Sequence, residues 1–178
     1  MTKEKDILEV LRHCRHDWLN VIQLIKGNLA LRRYDRVEEV LETTIQQLMN
    51  ESKLSNLGIP SISTRLLTFN WSSHPYKLGT EVIGDVTDLS LLEVELEQFV
   101  GPLLFIFENH CMAEQENHLL ITFQLFPNSC RLTFDFQGGL KEIHRLRRGL
   151  LELVKDKWES GIELKENECV FSISLEKK

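Results

Sequence analysis

Between residues 4 and 33 the chain sets an apolar side chain at every third or fourth position and contains no proline. That period belongs to an α-helix with one apolar face, and it predicts a single helix roughly 45 Å long. Ile7, Val10, Leu11, Cys14, Trp18, Val21, Ile22, Ile25 and Leu29 line the apolar face. The opposite face is centred on His16 and carries Lys5, Glu9, Arg12, Asn20, Gln23, Gly27 and Ala30, with nothing bulky and apolar among them. An apolar stripe of this length must be covered by something.

The next segment offers part of that cover. Arg33-Tyr34-Asp35 predicts a tight connection, with Asp35 capping a second helix and Glu38 completing a capping-box-like pattern. The second helix is expected from about Arg36 to Leu54, with Val37, Val40, Leu41, Thr44, Leu48 and Met49 on its inner face. Leu57-Gly58-Ile59-Pro60 supplies the stop. Two such helices form an antiparallel hairpin, and two hairpins close a four-helix core. The sequence therefore predicts a homodimer built on residues 4–55, in preference to a hairpin that packs on the rest of its own chain.

From about residue 60 the pattern changes. Residues 61–72 suit a short helix, and Tyr76 to Val86 alternates as a strand. Leu91 to Met112 has helical spacing, with Leu92, Leu96, Phe99, Val100, Leu103, Phe107 and Cys111 as its apolar positions. His118 to Phe126 and Arg131 to Phe136 are β-rich runs joined by the turn Pro127-Asn128-Ser129. Residues 140–156 have helical spacing with Lys141, Arg145, Arg147 and Arg148 on a solvated face. Gly161 to Leu164 and Cys169 to Leu175 read as two more strands around a turn at Lys165-Glu166-Asn167. The fold class is α+β: a helical hairpin over residues 1–57, then an α/β sandwich over 58–178 with a largely antiparallel sheet and helices on one face.

Charge narrows the function. The formal net charge is −6, with no basic stripe, which argues against a nucleic-acid binder and against a polybasic membrane anchor. No signal peptide and no run of apolar residues long enough to span a membrane is visible, so a cytoplasmic protein is expected. Cys14, Cys111, Cys130 and Cys169 are scattered without a ligand or redox spacing, and are expected as reduced core thiols. No two histidines or cysteines share a metal-ligand spacing.

The run Arg15-His16-Asp17-Trp18-Leu19-Asn20 carries the chemistry. A phosphoryl-accepting imidazole must be neutral near pH 7, reachable by a second protein and held for in-line attack. His16 on a rigid helix face meets these needs. Asp17 can accept a hydrogen bond from the non-attacking nitrogen, and Asn20, one turn on, lies beside the ring. Arg12, one turn before, can offset charge on an incoming phosphoryl group. Gln23, Gly27 and Ala30 form a small, flat surface for a partner's approach. His13 is a rival acceptor without a following acid, whereas His74, His110, His118 and His144 are expected in structural or surface roles.

His13 to Asn20, Gln23 to Leu29, Tyr34 to Val37, Glu51 to Leu57, Leu67 to Trp71 and Glu116 to Leu119 resemble the sporulation initiation phosphotransferase B family of Bacillus-type spore-forming bacteria. The resemblance spans most of the chain and is weakest after about residue 138. It implies a phosphorelay: one response regulator's aspartyl phosphate donates to His16, and a second regulator's aspartate receives the group. It further implies a dimer through a four-helix bundle, and magnesium held by the regulator's acidic pocket, with no cofactor on this chain. The second half resembles a degenerate histidine-kinase ATP-binding domain. Glu108-Asn109-His110 stands where kinases carry an asparagine motif, and Asp135-Phe136-Gln137-Gly138-Gly139 near their adenine-reading box. The box spacing is broken and no later glycine-rich loop follows, so no ATP site is expected. The alternatives are an ATP-dependent sensor histidine kinase fragment and a non-enzymatic dimeric scaffold for regulators.

Overall fold

The computed structural model describes residues 3–154 and 161–177. Residues 155–156, the expected end of the last helix, lie outside the described residues, as do the outermost positions of the two expected domains. In chain order the elements are α1 (Lys3–Ala30), α2 (Tyr34–Ser55), α3 (Pro60–Thr68), β1 (Lys77–Ile83), α4 (Glu93–His110), β2 (His118–Leu125), β3 (Ser129–Gln137), α5 (Ile143–Val154), β4 (Ile162–Leu164) and β5 (Glu168–Glu176). Single 3-10 turns at Phe69–Trp71 and Ser90–Leu92 precede β1 and α4.

The chain forms two compact units, Met1–Met49 and Asn50–Lys178. The division between the compact units falls inside α2. The first unit is α1 with most of α2. Among the described residues neither helix has a buried side chain before Leu54. Along the predicted apolar face only Val21 and Ile25 of α1 are half-buried; Ile7, Val10, Leu11, Trp18, Ile22 and Leu29 stand exposed.

Two details of the hairpin differ from expectation. α1 stops at Ala30, and the turn is made by Leu31 to Arg33, with Arg32 in the left-handed region at φ 54°. The Arg33 carbonyl accepts the Val37 N–H at 3.2 Å, which makes Arg33 the entrance residue of α2. Asp35 therefore lies within the first turn and is not the cap; its carboxylate still faces the positive end of the helix dipole. Cys14 is also exposed and not a core thiol, because its face of α1 has no cover from its own chain.

In the second unit the strand order is β1-β2-β3-β5-β4. β1 pairs parallel with β2, and the other neighbours are antiparallel. A parallel pair needs a long crossover, and α4 supplies it. The period-2 pattern drives one face of the sheet inward: Leu119, Ile121, Phe123 and Leu125 on β2 meet Cys130, Leu132, Phe134 and Phe136 on β3 in the core. α4 adds Leu96, Phe99, Val100, Leu103 and Phe107, and α5 adds Leu146 and Leu150. Phe107 stacks on Phe136 and Phe134 on Phe171, both at 4.9 Å between ring centres. α2 enters this core through Leu54, fully buried, whose carbonyl accepts the Ser63 hydroxyl at 2.8 Å.

Burial pushes the Cys111, Cys130 and Cys169 thiols up to about 12. Their folded values lie above their unfolded ones, so the stability gained by keeping them neutral is whole below about pH 8.5 and is lost as pH climbs toward 12. The urea midpoint of the α/β unit should therefore fall between about pH 9 and 11, with these three thiols reacting with an aromatic disulfide reagent only after unfolding. A flat midpoint over that range would contradict the buried-thiol assignment.

Candidate phosphotransfer site

α1 positions the candidate site by its pitch alone. His16, Arg12, Asn20, Gln23, Gly27 and Ala30 recur at three- and four-residue intervals and are all exposed. The His16 side chain is 71% exposed and that of Asp17 62%. Both close contacts of the ring fall on one nitrogen: Asp17 Oδ1 lies 3.5 Å from Nδ1, and the Asn20 amide nitrogen lies 3.2 Å from it. Among the described residues Nε2 has no hydrogen-bond partner.

The two neighbours favour different tautomers. A proton on Nδ1 donates to Asp17 and leaves Nε2 with a free lone pair. A bare Nδ1 accepts from the Asn20 amide and places the proton on Nε2. Only the first form presents a free lone pair on Nε2. Arg12, Gln23, Gly27 and Ala30 share the face without touching the ring. A Cβ built at Gly27 would meet nothing within 4 Å, so the chain's own packing does not require glycine there. No group of three or more His, Cys, Asp or Glu that could hold a metal occurs among the described residues.

Two of the other histidines, His74 and His110, have local tasks. His74 Nδ1 lies 2.6 Å from Glu108 Oε1, and its ring stacks on Phe69 at 3.8 Å. His110 Nδ1 lies 2.8 Å from the Ile106 carbonyl. Asn109 donates back to the Phe105 carbonyl at 2.7 Å. The Glu108-Asn109-His110 motif is thus spent on α4 itself and on the turn before β1. Sequence alone does not join His74 to Glu108, since the two are far apart along the chain.

The Gly138-Gly139 pair has a structural task too. Asn117 is buried; its amide donates to the Pro75 and Met112 carbonyls at 2.9 and 2.7 Å, and its oxygen accepts the Gly139 N–H at 2.8 Å. Gly138 sits at φ 142° against it, where a Cβ would fall 2.2 Å from Asn117 Oδ1. The glycines let three chain segments converge on one asparagine.

A hairpin with a solvent-facing histidine, followed by an α/β unit on a mixed five-stranded sheet, is the arrangement of kinase-like phosphotransfer proteins. The alpha-helical domain of the SpoOB-type sensor kinases matches residues 1–57, and the C-terminal domain of sporulation initiation phosphotransferase B matches 58–176. The chain belongs to the sporulation initiation phosphotransferase B family. It is 35% identical to the Bacillus subtilis sporulation initiation phosphotransferase B over 96% of this chain and 90% of that relative. Among solved structures it is similar to the Acinetobacter baumannii histidine kinase AdeS, at 13% identity over 92% of this chain and 98% of that one, with a TM-score of 0.44. A bacterial phosphotransferase is also similar, at 10% identity over 97% of both chains and a TM-score of 0.41.

Gly138→Ala should destabilise the second unit by about 2–4 kcal/mol, combining the clash with Asn117 and the unfavourable φ. Asn117→Ala should cost about 1–3 kcal/mol by stranding the buried Gly139 N–H. Urea unfolding of both variants tests this, and midpoints equal to the parent would show that the convergence is dispensable.

Proposed function

We propose that this chain is a phosphorelay phosphotransferase whose His16 carries the phosphoryl group between two response regulators controlling sporulation initiation. The observation that carries the reading is the exposed imidazole of His16, whose Nε2 has no hydrogen-bond partner among the described residues while Asp17 Oδ1 lies 3.5 Å from Nδ1. In the first half-reaction the Nε2 lone pair attacks the phosphorus of the donor's aspartyl phosphate. The acyl P–O bond breaks and its electrons leave on the aspartate carboxylate. In the second, a carboxylate oxygen of the acceptor attacks, the P–N bond breaks, and the electron pair returns to Nε2. Asp17 holds the Nδ1 proton through both steps, which stabilises the charge on the phosphorylated ring. Arg12 lies one turn away to offset phosphoryl charge, and the donor and acceptor bring the magnesium. Gln23, Gly27 and Ala30 form the flat surface on which each regulator rests.

The working particle is a homodimer joined through the hairpins into a four-helix bundle. The uncovered stripe of α1 supports this: Ile7 is 50% exposed, Trp18 48% and Ile22 54% in the single chain. Burying such side chains contributes about 1.5–3 kcal/mol each. No helix among the described residues is long and apolar enough to cross a membrane, in keeping with a relay that works inside the cell.

His16→Gln should abolish transfer of labelled phosphate from a phosphorylated regulator while leaving the particle mass unchanged, and His13→Ala should retain it. Transfer that persists in His16→Gln would overturn the assignment. Sedimentation should give a mass of twice the 20.8 kDa chain, and Trp18→Glu should reduce it to one. A parent protein that sediments as a single chain at micromolar concentration would rule the bundle out.

A further inference from the structure

β1 is an edge strand, paired on one side only, with β2. Alternate residues of a strand direct their backbone groups to opposite sides, so Leu78, Thr80 and Val82 face outward. An edge of this kind is a ready template for another strand. Here side chains occupy it. Asn70 spans Leu78 completely: its amide oxygen accepts the Leu78 N–H at 2.9 Å, and its amide nitrogen donates to the Leu78 carbonyl at 2.7 Å. That is the pair of bonds a residue on a neighbouring strand would make. Val82 is treated likewise by two residues of α2: Asn50 Oδ1 accepts its N–H at 3.2 Å and Lys53 Nζ donates to its carbonyl at 3.2 Å. Thr80, between them, is the one outward position of β1 without such a cap among the described residues.

We infer that the outer edge of β1 is a strand-pairing surface held shut by Asn50, Lys53 and Asn70, and that the partner it fits when open is β1 of a second copy. The strand's own sequence supports that partner. In an antiparallel pair centred on Thr80, Leu78 and Val82 of one copy face Val82 and Leu78 of the other. All three outward residues then fall at hydrogen-bonded positions of the ladder. Lys77 and Glu81, on the other face of the sheet, become diagonal neighbours across the pair, where long opposite charges attract. The last turns of α2 and the Phe69–Trp71 turn stand where the second strand would lie, so the surface opens only when the caps release them. The three caps thereby keep self-association away from the sheet.

The test compares the parent with Asn50→Ala/Asn70→Ala. Amide exchange should accelerate about tenfold at Leu78 and Val82, the size expected for a lost hydrogen bond, with Thr122 in β2 unchanged. In mild urea the double variant should form a particle larger than the parent's, in which a carbodiimide joins Lys77 of one copy to Glu81 of another. Unchanged exchange at Leu78 and Val82, or a larger particle without that link, would overturn the inference. Should the double variant not fold, Asn70→Ser gives the same readout at Leu78: faster exchange upholds the cap, and parental exchange removes it.

Discussion

The apolar stripe of α1 is the constraint on which the rest of the molecule depends. It runs most of the length of the helix, and among the described residues none of α1 is buried within the chain. A helix in that condition is not held by propensity alone, since most helical stability in proteins comes from packing of an amphipathic face. It needs an apolar partner surface, and the second helix of the hairpin alone does not bury it. The same stripe decides where the candidate site lies. One face of a cylinder committed to burial leaves the other in solvent, and His16 stands at the centre of the solvent side. The uncovered apolar face and the exposed His16 face are thus two sides of one periodic pattern.

In the α/β unit the Glu108-Asn109-His110 run and the Gly138-Gly139 pair take on packing roles. Asn109 turns back onto the α4 backbone, Glu108 holds His74, and the two glycines of the broken box admit Asn117 to a three-way junction. Each of these side chains is occupied by a neighbour of its own chain. The architecture rests on its core: three strands alternate cleanly and α4 presents large apolar groups to them.

Much of this was legible in the sequence. Period 3.6 over the first helix and period 2 over β2, β3 and β5 fixed element type, because in each case one face is committed to apolar contact. The candidate site was legible for the same reason: His16, Asp17 and Asn20 lie within a turn, and helix pitch alone brings them together. What was not legible depends on contacts between distant segments. The Arg33 entrance to α2 escaped notice because Asp35 offers a stronger cap signal than a backbone carbonyl does. Cys14 looked like a core thiol because periodicity reports which face is apolar, not what covers it. His74 with Glu108, Asn117 with Gly139 and the caps on β1 join residues that no local pattern relates.

The point at which the second unit begins bears on how such proteins can be recombined. Leu54 lies in the α/β core, and Asn50 and Lys53 complete the backbone of Val82, so the last two turns of α2 belong structurally to the sheet. A hairpin exchanged at the end of the helix would carry these residues away with it. It would leave a hole in one protein and import foreign side chains into another. A junction ahead of Asn50 keeps the sheet unit whole. The seam between the two compact units therefore lies in the middle of a helix, where no loop marks it.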